Sequence, residues 1–385
     1  MHKCLRLLWL FLALLLVAGA TITPLQATPA PALSVSAAGA CLIDAEHGLV
    51  LYEKNADTRL PMASTTKIMT AMVAMRHMPL DTVITVDTCA VGVEGSSIYL
   101  TEGEQLTLEE LLYALLLESA NDAAAAIAIA VGGSVAGFAA LMNREAESLG
   151  LQNTHFENPH GLHHEAHYTT ARELAVITAE AMKSKDFCRI VSTVKHTISH
   201  GGTADVRLLI NHNKLLRSYE GAIGVKTGYT KRSGRCLVSA AEREGVRLIA
   251  VTLNAPDDWQ DHTAMLDYGF SHMKSLTLCA TGEVLLQIPV VNGTEGAITV
   301  SNRQGLTVAV PLNAPEIGVT VEAPRFLYAP LQAGECIGRV VYQADLNRDG
   351  VREVIGEAPL TTQTEVIQKS KKKGFWSWLI GLFGF

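Results

Sequence analysis

The chain has 385 residues, a formal net charge of −7 at pH 7 and an apolar fraction of 48%. This length exceeds what one hydrophobic core usually accommodates, so it favours two domains with additional terminal segments. The mild negative charge argues against a nucleic-acid partner, because surfaces that bind nucleic acids are strongly basic.

Residues 1–27 have the features of a signal peptide. Lys3 and Arg6 form a basic start, and the apolar run that follows, Leu7 to Ala18, is too short for a comfortable membrane span. Ala18-Gly19-Ala20 supplies small residues for cleavage, and a later site would end the segment at residue 27. An uncleaved anchor is the alternative interpretation. We expect an exported protein that works outside the cytoplasm.

The first folded segments predict a β-hairpin and a buried helix. The apolar runs Ala40 to Asp44 and Leu49 to Glu53 flank a turn sequence, as the strands of a hairpin do. Thr107 and Glu110 then form a capping box that predicts a helix start. Because this helix, Leu108 to Glu118, is apolar on most faces, we expect it to be buried.

Between these segments, Met62 to Ala71 predicts the first turns of a helix, with Pro61 just ahead of it. Ser64 and Lys67 are three residues apart, so a helix places them on one face. A hydroxyl beside a neutral amine can act as a nucleophile with its base. The start of a helix also favours negative charge, which suits an oxyanion forming beside Ser64.

Two later stretches carry polar residues that could complete such a site. Ser119-Ala120-Asn121 interrupts the buried helix before an alanine-rich helix resumes. Buried serine and asparagine side chains need hydrogen-bond partners, which either helix capping or a catalytic site could supply. Lys226-Thr227-Gly228 lies at the end of a predicted strand that begins at Ile223.

The strand before Gly228 is followed by two more, Cys236 to Ala240 and Leu248 to Leu253, and then by a helix, Asp261 to Tyr268. Consecutive strands joined by short turns imply an antiparallel sheet. Residues 28–273 therefore predict an α+β catalytic domain, in which helices pack on the sheet and a largely helical lobe stands beside it. The candidate site lies between the sheet and that lobe.

After about Met273 the sequence predicts a small all-β domain, residues 274–365. Its β-rich runs are Leu285 to Val291, Ile298 to Val300, Leu306 to Val310, Val319 to Glu322 and Cys336 to Tyr342. Asp345 to Gly350 resembles the start of a calcium loop, but Gly356 stands where the bidentate glutamate would be required. We therefore predict a tight turn between strands.

Residues 366–385 predict a tail that lies on a membrane surface. Lys369 to Gly374 is basic, and Phe375 to Phe385 is rich in Trp, Leu and Phe. A helix over the aromatic part would be only about 17 Å long, too short to span a bilayer. Basic residues followed by large apolar ones suit an anionic membrane surface. A helix docked on the β domain is the alternative.

No metal site is predicted. His160, His163, His164 and His167 cluster around Glu165, but the spacing differs from the His-Glu-x-x-His of zinc peptidases, and the segment predicts a loop. Of the seven cysteines, Cys4 lies in the predicted signal peptide, and the other six are widely spaced, which also argues against zinc. We interpret the cysteines as buried free thiols, although an oxidising compartment would permit disulfides.

The order S-x-x-K, S-x-N and K-T-G is the signature of the penicillin-recognising serine enzymes. The chain resembles the low-molecular-weight penicillin-binding proteins, the serine-type D-alanyl-D-alanine carboxypeptidases. Asn158-Pro159-His160-Gly161-Leu162 and Asn211-His212-Asn213-Lys214-Leu215-Leu216 are also similar to this family. The resemblance runs from about Ala32 to Phe270. It implies a β-lactamase/transpeptidase-like fold.

The resemblance also implies catalytic roles. Ser64 would be the nucleophile and Lys67 the base. Ser119 would relay a proton toward the leaving group, and Asn121 would orient the substrate amide. Burial, and a second cation nearby such as Lys226, would keep part of the Lys67 amine neutral.

Substrate binding follows from the resemblance in the same way. Lys226 and Thr227 would hold the terminal carboxylate of the substrate, and Gly228 would let the substrate backbone run beside the strand. The backbone N–H groups of Ser64 and Tyr229 would form the oxyanion hole. Some relatives have an arginine near Asp258-Trp259 as a further carboxylate contact, and this chain has none in that stretch.

The implied activity is removal of the terminal D-alanine from peptidoglycan stem peptides, with β-lactam antibiotics as inhibitors and no metal or organic cofactor. A D,D-endopeptidase is the main alternative. A β-lactamase of class A would also contain the sequence Glu-x-x-Leu-Asn. Neither Glu157 nor Glu165 begins such a sequence. A non-catalytic peptidoglycan-binding protein would not need all three motifs. The expected location is the outer face of the cytoplasmic membrane.

Overall fold

The structure, a computed structural model, describes residues 33–200 and 205–369. The predicted signal peptide, and the predicted membrane tail from residue 370 onward, lie outside the described residues. From Val35 onward the described residues belong to one compact unit. Within them no single helix is long and apolar enough to cross a membrane, and one helix pair bent by 80° meets that criterion by length and composition alone.

The helices flank a sheet and build one lobe. They are α1 (Lys67–His77), α2 (Leu108–Tyr113), α3 (Asn121–Gly132), α4 (Val135–Ser148), α5 (Ala171–Ala181), α6 (Lys185–Ser192), α7 (Leu215–Ser218) and α8 (Asp258–His272). Tighter or wider helical turns occur at Ala63–Thr66 and Thr88–Ala90, both 3-10, and at Ala114–Glu118, which is π-helical.

The strands fall into a central sheet, a C-terminal sheet and short two-stranded pairs. They are β1 (Gly39–Asp44), β2 (Val50–Lys54), β3 (Val83–Thr85), β4 (Gln105–Thr107), β5 (Lys195–Ser199), β6 (Val206–Ile210), β7 (Ala222–Thr230), β8 (Gly234–Arg243), β9 (Val246–Leu253), β10 (Met273–Cys279), β11 (Leu285–Val291), β12 (Ala297–Asn302), β13 (Leu306–Pro311), β14 (Gly318–Glu322), β15 (Leu327–Tyr328), β16 (Cys336–Ala344) and β17 (Glu353–Thr362).

The central sheet has the strand order β2-β1-β9-β8-β7. Every neighbouring pair is antiparallel, which confirms the predicted antiparallel sheet and the predicted N-terminal hairpin. Strands β1, β8 and β9 are largely buried, as expected for apolar strands in the interior of a sheet. Strand β7, which carries Lys226 and Thr227, is an edge strand of this sheet.

The helical lobe packs around α1 and α3. The predicted capping box is confirmed, because Thr107 Oγ1 accepts from the Glu110 N–H at 3.2 Å and the Glu110 carboxylate accepts from the Thr107 N–H at 2.9 Å. The alanines at positions 123–126 of α3 are buried, and such small side chains let neighbouring helices approach closely. The helices of the lobe share one hydrophobic core with the sheet.

The C-terminal residues form a second, β-only layer. Its main sheet has the order β14-β16-β17-β12-β11-β15, antiparallel except for the pair β11–β15. Each of the five predicted β-rich runs lies in a strand, which confirms them, whereas β10, β15 and β17 were not predicted. The predicted tight turn is also confirmed, because the Asp345 carboxylate accepts from the N–H groups of Asp349 and Gly350 at 3.1 and 2.9 Å.

The junction between the two layers contains no linker. Helix α8 ends at His272 and β10 begins at Met273. The Leu312 N–H, just after β13, donates to the His272 carbonyl at 2.9 Å, and β13 pairs with β10. The chain is therefore tied down on both sides of the junction. The bounds of the predicted signal peptide, catalytic domain, β domain and tail (residues 1–27, 28–273, 274–365 and 366–385) remain predictions.

The described cysteines are free thiols. Cys41, Cys236 and Cys279 are buried, as predicted, whereas Cys89 and Cys336 are exposed. Burial raises the pKa of the Cys236 thiol to about 11, so this side chain is inert at neutral pH.

A buried histidine, His262, holds α8 against the sheet. Its Nδ1 meets Ser239 Oγ, and its Nε2 lies 2.9 Å from Thr252 Oγ1. Burial lowers the pKa of His262 to about 3, against about 6.5 in an unfolded chain. The imidazole of His262 is therefore neutral in the folded protein at pH values well above 3.

We expect His262→Gln to reduce the acid sensitivity of the fold. As pH falls from 6.5 toward 3, the unfolded chain gains a proton at His262 and the native chain does not, so stability falls by about 1.4 kcal/mol per pH unit. Urea unfolding at pH 7.5 and pH 4.5 measures the loss. An equal loss of unfolding free energy in wild type and variant would contradict the assignment.

Candidate active site

Ser64 lies in a tight turn at the start of α1. The 3-10 turn Ala63–Thr66 precedes the first residue of the α-helix, Lys67, so the predicted helix is confirmed with a narrower first turn. Thr65 Oγ1 donates to the Met62 carbonyl at 2.6 Å and fixes the turn. In a 3-10 turn residues three apart are aligned, which brings Lys67 directly over Ser64.

The Lys67 ammonium nitrogen has three oxygen partners. Nζ lies 3.0 Å from Ser64 Oγ, 2.7 Å from Asn121 Oδ1 and 2.7 Å from the His160 carbonyl. The side chain is 0% exposed. The structure thus brings together two of the three predicted catalytic residues and one predicted substrate-binding residue.

The charge of Lys67 is strongly disfavoured. Burial lowers the pKa of Lys67 well below its usual 10.5, the positive charge of Lys226 lowers it further, and Asp122 opposes the shift. A neutral amine has two N–H donors and one lone pair. Asn121 Oδ1 and the His160 carbonyl can only accept, so they take the two donors. The lone pair is then left for the Ser64 hydroxyl.

His160 belongs to a loop that forms one wall of the site. Asn158 Oδ1 accepts from the Gly161 N–H at 2.7 Å, and Thr70 Oγ1 donates to the Pro159 carbonyl at 2.6 Å. Gly161 has a φ of +89°, and a Cβ added there would lie 1.9 Å from the Ala63 carbonyl oxygen. The loop therefore packs directly on the turn that carries the nucleophile.

The clustered histidines lie in this loop between α4 and α5, as predicted. His167 is buried, its Nε2 lies 2.8 Å from Thr66 Oγ1, and its Nδ1 accepts from the Glu157 N–H at 3.0 Å. Burial lowers the pKa of His167 to about 3. Its contacts hold the Ser64 turn. The described ranges contain no group of three or more His, Cys, Asp or Glu side chains suited to a metal ion.

Ser119 and Asn121 face different surroundings because the backbone turns between them. The π-helical turn ends at Ser119, whose φ of 62° is left-handed, and α3 begins at Asn121. Ser119 lines the open cleft. Asn121 lies behind the cleft, where its Oδ1 accepts from Lys67 and its Nδ2 donates to the Glu94 carbonyl. Both ends of its amide are thus used inside the protein.

Strand β7 runs beside the nucleophile. A Cβ added at Gly228 would lie 3.0 Å from the Ser64 nitrogen and 3.1 Å from the Thr65 nitrogen, so only a glycine leaves these N–H groups accessible. Lys226 is 1% exposed, and its Nζ donates to the Thr227 carbonyl at 2.9 Å. Burial lowers the pKa of Lys226 to about 7, against the opposing effect of Glu118.

The cleft in front of Ser64 has an open mouth and mixed polarity. Its lining residues are Ser64, Ser96, Ser119, His212, Thr227, Gly228, Tyr229, Arg235, Asp258 and Trp259. Four of the predicted site residues besides Ser64 therefore share this cleft. Lys67, Asn121 and Lys226 lie beneath its surface.

Arg235 was not singled out from the sequence. Its Nε lies 3.0 Å from Oδ1 of Asp258, whose side chain is 6% exposed against 44% for the arginine. Arg235 pairs with Tyr229 in the register of β7 and β8, so both side chains lie on one face of the sheet. The short turn after the K-T-G strand could have revealed this, because it fixes that register.

Comparison with known proteins agrees with the geometry. A sequence model of the peptidase S11 family, described as D-alanyl-D-alanine carboxypeptidase, matches residues 25–257. The D-alanyl-D-alanine carboxypeptidase DacF of Bacillus subtilis is 31% identical over 90% of this chain and 89% of its own. The D-alanyl-D-alanine carboxypeptidase of Streptomyces sp. (strain K15) is 38% identical over 64% of this chain and 92% of its own.

A solved structure shows the same architecture beyond the region of the family model. Penicillin binding protein 5 from Haemophilus influenzae superposes with a TM-score of 0.62 at 27% identity, covering 89% of this chain and 100% of that one. This confirms the predicted transpeptidase-like α+β fold with a C-terminal β domain. The chain belongs to the peptidase S11 family of serine-type D-alanyl-D-alanine carboxypeptidases, which are low-molecular-weight penicillin-binding proteins.

Proposed function

We propose that the chain removes the terminal D-alanine from peptidoglycan stem peptides through an acyl-enzyme on Ser64. The observation that carries this proposal is the buried Lys67 amine, 3.0 Å from Ser64 Oγ. Ser64 Oγ bonds to the carbonyl carbon while its proton passes to Lys67. The C–N bond to D-alanine then breaks, and the proton reaches the leaving amine with Ser119 as relay. Water cleaves the ester and restores Ser64.

Charge on the substrate oxygen is stabilised by backbone donors. The N–H groups of Ser64 and Tyr229 form the oxyanion hole in this proposal. This assignment is supported by the close approach of β7 to the Ser64 turn, where a Cβ added at Gly228 would lie 3.0 Å from the Ser64 nitrogen. Donors fixed in advance by the fold are usually a large part of the rate enhancement in acyl transfer.

The substrate carboxylate is held at the other end of the cleft by Lys226, Thr227 and Arg235 in this proposal. Lys226 is half protonated near pH 7, and a bound carboxylate favours its charged form. Arg235 is always charged, and the buried Asp258 fixes its guanidinium. Asn121 is proposed to hold Lys67 in place and, when substrate enters, to turn its Nδ2 toward the substrate amide.

The purified chain would be incubated with diacetyl-Lys-D-Ala-D-Ala and, separately, with benzylpenicillin. Release of D-alanine, with a long-lived penicillin adduct that Ser64→Ala lacks, is the expected result. Fast penicillin turnover without D-alanine release would instead indicate a β-lactamase. An adduct without release from any short peptide would favour the endopeptidase, which cross-linked muropeptides would then test.

Removing the charge of Lys226 is expected to move the pH dependence of acylation. The acylation rate rises with pH as Lys67 loses its proton, and Lys226 lowers the pKa of Lys67. In Lys226→Gln the pH at which the acylation rate rises should therefore be higher than in wild type. The maximal rate can fall as well. Stopped-flow acylation by a chromogenic β-lactam measures this pH, with Lys231→Gln in the exposed β7–β8 turn as control. An unchanged pH in Lys226→Gln would refute the coupling.

Arg235→Ala is expected to raise KM for diacetyl-Lys-D-Ala-D-Ala about tenfold, the usual loss for one charge-assisted hydrogen bond. The matched control is Arg232→Ala, an exposed arginine in the same turn that does not line the cleft. With a carboxyl-terminal amide as substrate, the difference between Arg235→Ala and wild type should disappear. A tenfold loss that persists with the amide would show that Arg235 does not bind the carboxylate.

We further propose that the protein is exported and attached to the outer face of the cytoplasmic membrane by its basic, aromatic C-terminal tail. The support is the sequence of residues 1–27 and 366–385. Deleting residues 370–385 should release the protein from anionic vesicles in a flotation assay. High salt should weaken binding of the full chain, because the lysines act on the surface charge. Binding that survives the deletion would disprove this attachment.

A further inference from the structure

A cluster of exposed apolar side chains lies at one edge of the C-terminal sheet. Tyr328 in the edge strand β15 is 62% exposed, and Phe326 just before this strand is 49% exposed. Their rings meet edge to face, with centroids 5.5 Å apart. Val291 of β11 is the register partner of Tyr328 and is exposed, whereas the preceding Val290 is buried. Val291 and Tyr328 therefore lie on the outer face of the sheet.

The described part of the predicted tail lies beside this cluster. The Lys369 N–H donates to the Asn292 carbonyl at 2.8 Å, and the Thr294 N–H donates to the Ile367 carbonyl at 2.8 Å. The Ile367 side chain is 61% exposed. Asn292 directly follows Val291, so the sheet holds Lys369 next to the exposed apolar side chains. We call Val291, Phe326, Tyr328 and Ile367 the aromatic edge.

The length of the chain beyond Lys369 limits how far the tail can reach. The apolar segment that we predict to lie on a membrane begins at Phe375, six residues after Lys369. Six residues span at most about 22 Å when fully extended. A lipid surface that holds this segment must therefore come within about 22 Å of Lys369. Side chains that project from the same edge of the sheet are then placed to contact that surface.

The charges near the aromatic edge suit an anionic surface. Arg325, which directly precedes the aromatic residues, is exposed. Lys369 and the lysines at 371–373 follow in the chain, and Glu295 and Glu365 are the carboxylates in the segments that form this edge. The basic groups thus outnumber the acidic ones. Exposed aromatic rings beside basic groups are the composition that an anionic membrane interface favours.

We propose that the aromatic edge is a second contact of this protein with an anionic lipid surface, and that it acts together with the C-terminal tail. The proposal rests on the proposed attachment by that tail. Stable membrane anchoring usually needs two weak contacts, since one alone gives only marginal, reversible binding. Once the tail is bound, the edge meets the surface at a high effective concentration. The two contacts together also fix the rotation of the C-terminal sheet on the membrane.

Flotation of the full chain with vesicles of phosphatidylglycerol and phosphatidylcholine tests the proposal. Phe326→Ser and Tyr328→Ser would be compared with Val321→Ser, a 46% exposed residue of β14 at the opposite edge of the same sheet. We expect each aromatic variant to bind the vesicles about tenfold more weakly, the usual loss for one apolar ring contact, and the control to bind like wild type. Equal thermal unfolding by circular dichroism shows that the fold is retained.

Wild-type binding by both aromatic variants would overturn the proposal. Tighter binding would also overturn it, because the tail would then dock on the aromatic edge in the absence of lipid. Lost self-association in sedimentation, with vesicle binding intact, would assign the edge to a second copy of the chain.

A chain that lacks residues 370–385 separates this proposal from that of the tail. If the shortened chain floats as well as the full chain, the tail proposal fails, and comparison of Tyr328→Ser with Val321→Ser still decides whether the edge binds lipid. If the shortened chain does not float and both aromatic variants bind like wild type, the tail attaches the protein and the proposal for the edge fails.

Discussion

Lys67→Met is expected to lower the rate of Ser64 acylation by benzylpenicillin about 10²–10⁴-fold, the usual contribution of a general base. The variant removes the amine that lies 3.0 Å from Ser64 Oγ. The other hydrogen-bond partner of this hydroxyl among the described residues, the His160 carbonyl at 3.5 Å, is not basic. Intact-mass spectrometry of timed samples gives the rate of adduct formation.

Lys67→Arg separates the base from the charge. Arginine keeps a positive charge at every accessible pH, so it cannot accept the proton. If Lys67 acts as the base, this variant should be as slow as Lys67→Met. Acylation close to the wild-type rate in Lys67→Arg would show that the site needs a cation rather than a neutral amine. Circular dichroism of both variants confirms that the fold is retained.

Gly161→Ala is expected to lower both the stability of the fold and the rate of Ser64 acylation. The new Cβ would lie 1.9 Å from the Ala63 carbonyl oxygen and 3.0 Å from the Ser64 nitrogen. The backbone atoms cannot interpenetrate, so either the Ser64 turn or the His160 loop must move. A shift of about 1 Å in such a site costs about 10²-fold in rate.

Gly150→Ala is the matched control for Gly161→Ala. Gly150 has a similar left-handed φ of +75°, but a Cβ there meets nothing within 4 Å. It should lose about 1 kcal/mol of stability from backbone strain and keep its acylation rate. Gly161→Ala should lose both stability, by about 2–4 kcal/mol, and acylation. Equal acylation rates in the two variants would mean that the loop does not position Ser64.

The three motifs were sufficient to locate the site because each is short and local. Ser64 and Lys67 meet within one turn, so spacing alone places them together. The contact between Lys67 and Asn121 needs tertiary packing, and only the known order of the motifs suggested it. The structure places the residues of the three motifs where the sequence predicted them. The chemical role of each residue remains a proposal.

Contacts made by backbone groups could not be read from residue types. The His160 carbonyl accepts from Lys67, but the sequence shows only a histidine, whose side chain drew attention to metal binding. The orientation of the Asn121 side chain could not be predicted either, because it depends on the backbone conformation of a neighbouring residue. Its amide lies behind the cleft because Ser119 adopts a left-handed backbone conformation, which no residue preference at a serine predicts.

The fold was predictable where the hydrophobic pattern was periodic. The strands of the central sheet have long apolar runs, and their bounds differ from the prediction by a few residues. Strands β5 and β6 escaped prediction because β6 exposes Val206 and Leu208 to solvent, which inverts the usual alternation. Strand β17 contains Pro359 and Gly356, which normally argue against a strand interior.

The direct passage from α8 to β10 makes the C-terminal sheet a rigid spacer for the catalytic domain. A hinge needs a few residues whose dihedral angles can change freely. At the junction, His272 belongs to the helix and Met273 to the strand, so no residue lies between them. Whatever surface the C-terminal sheet rests on, the mouth of the cleft is then held at one height and one angle above it. If the proposed tail holds the C-terminal sheet against a membrane, the length of that spacer sets the height at which the cleft meets its substrate.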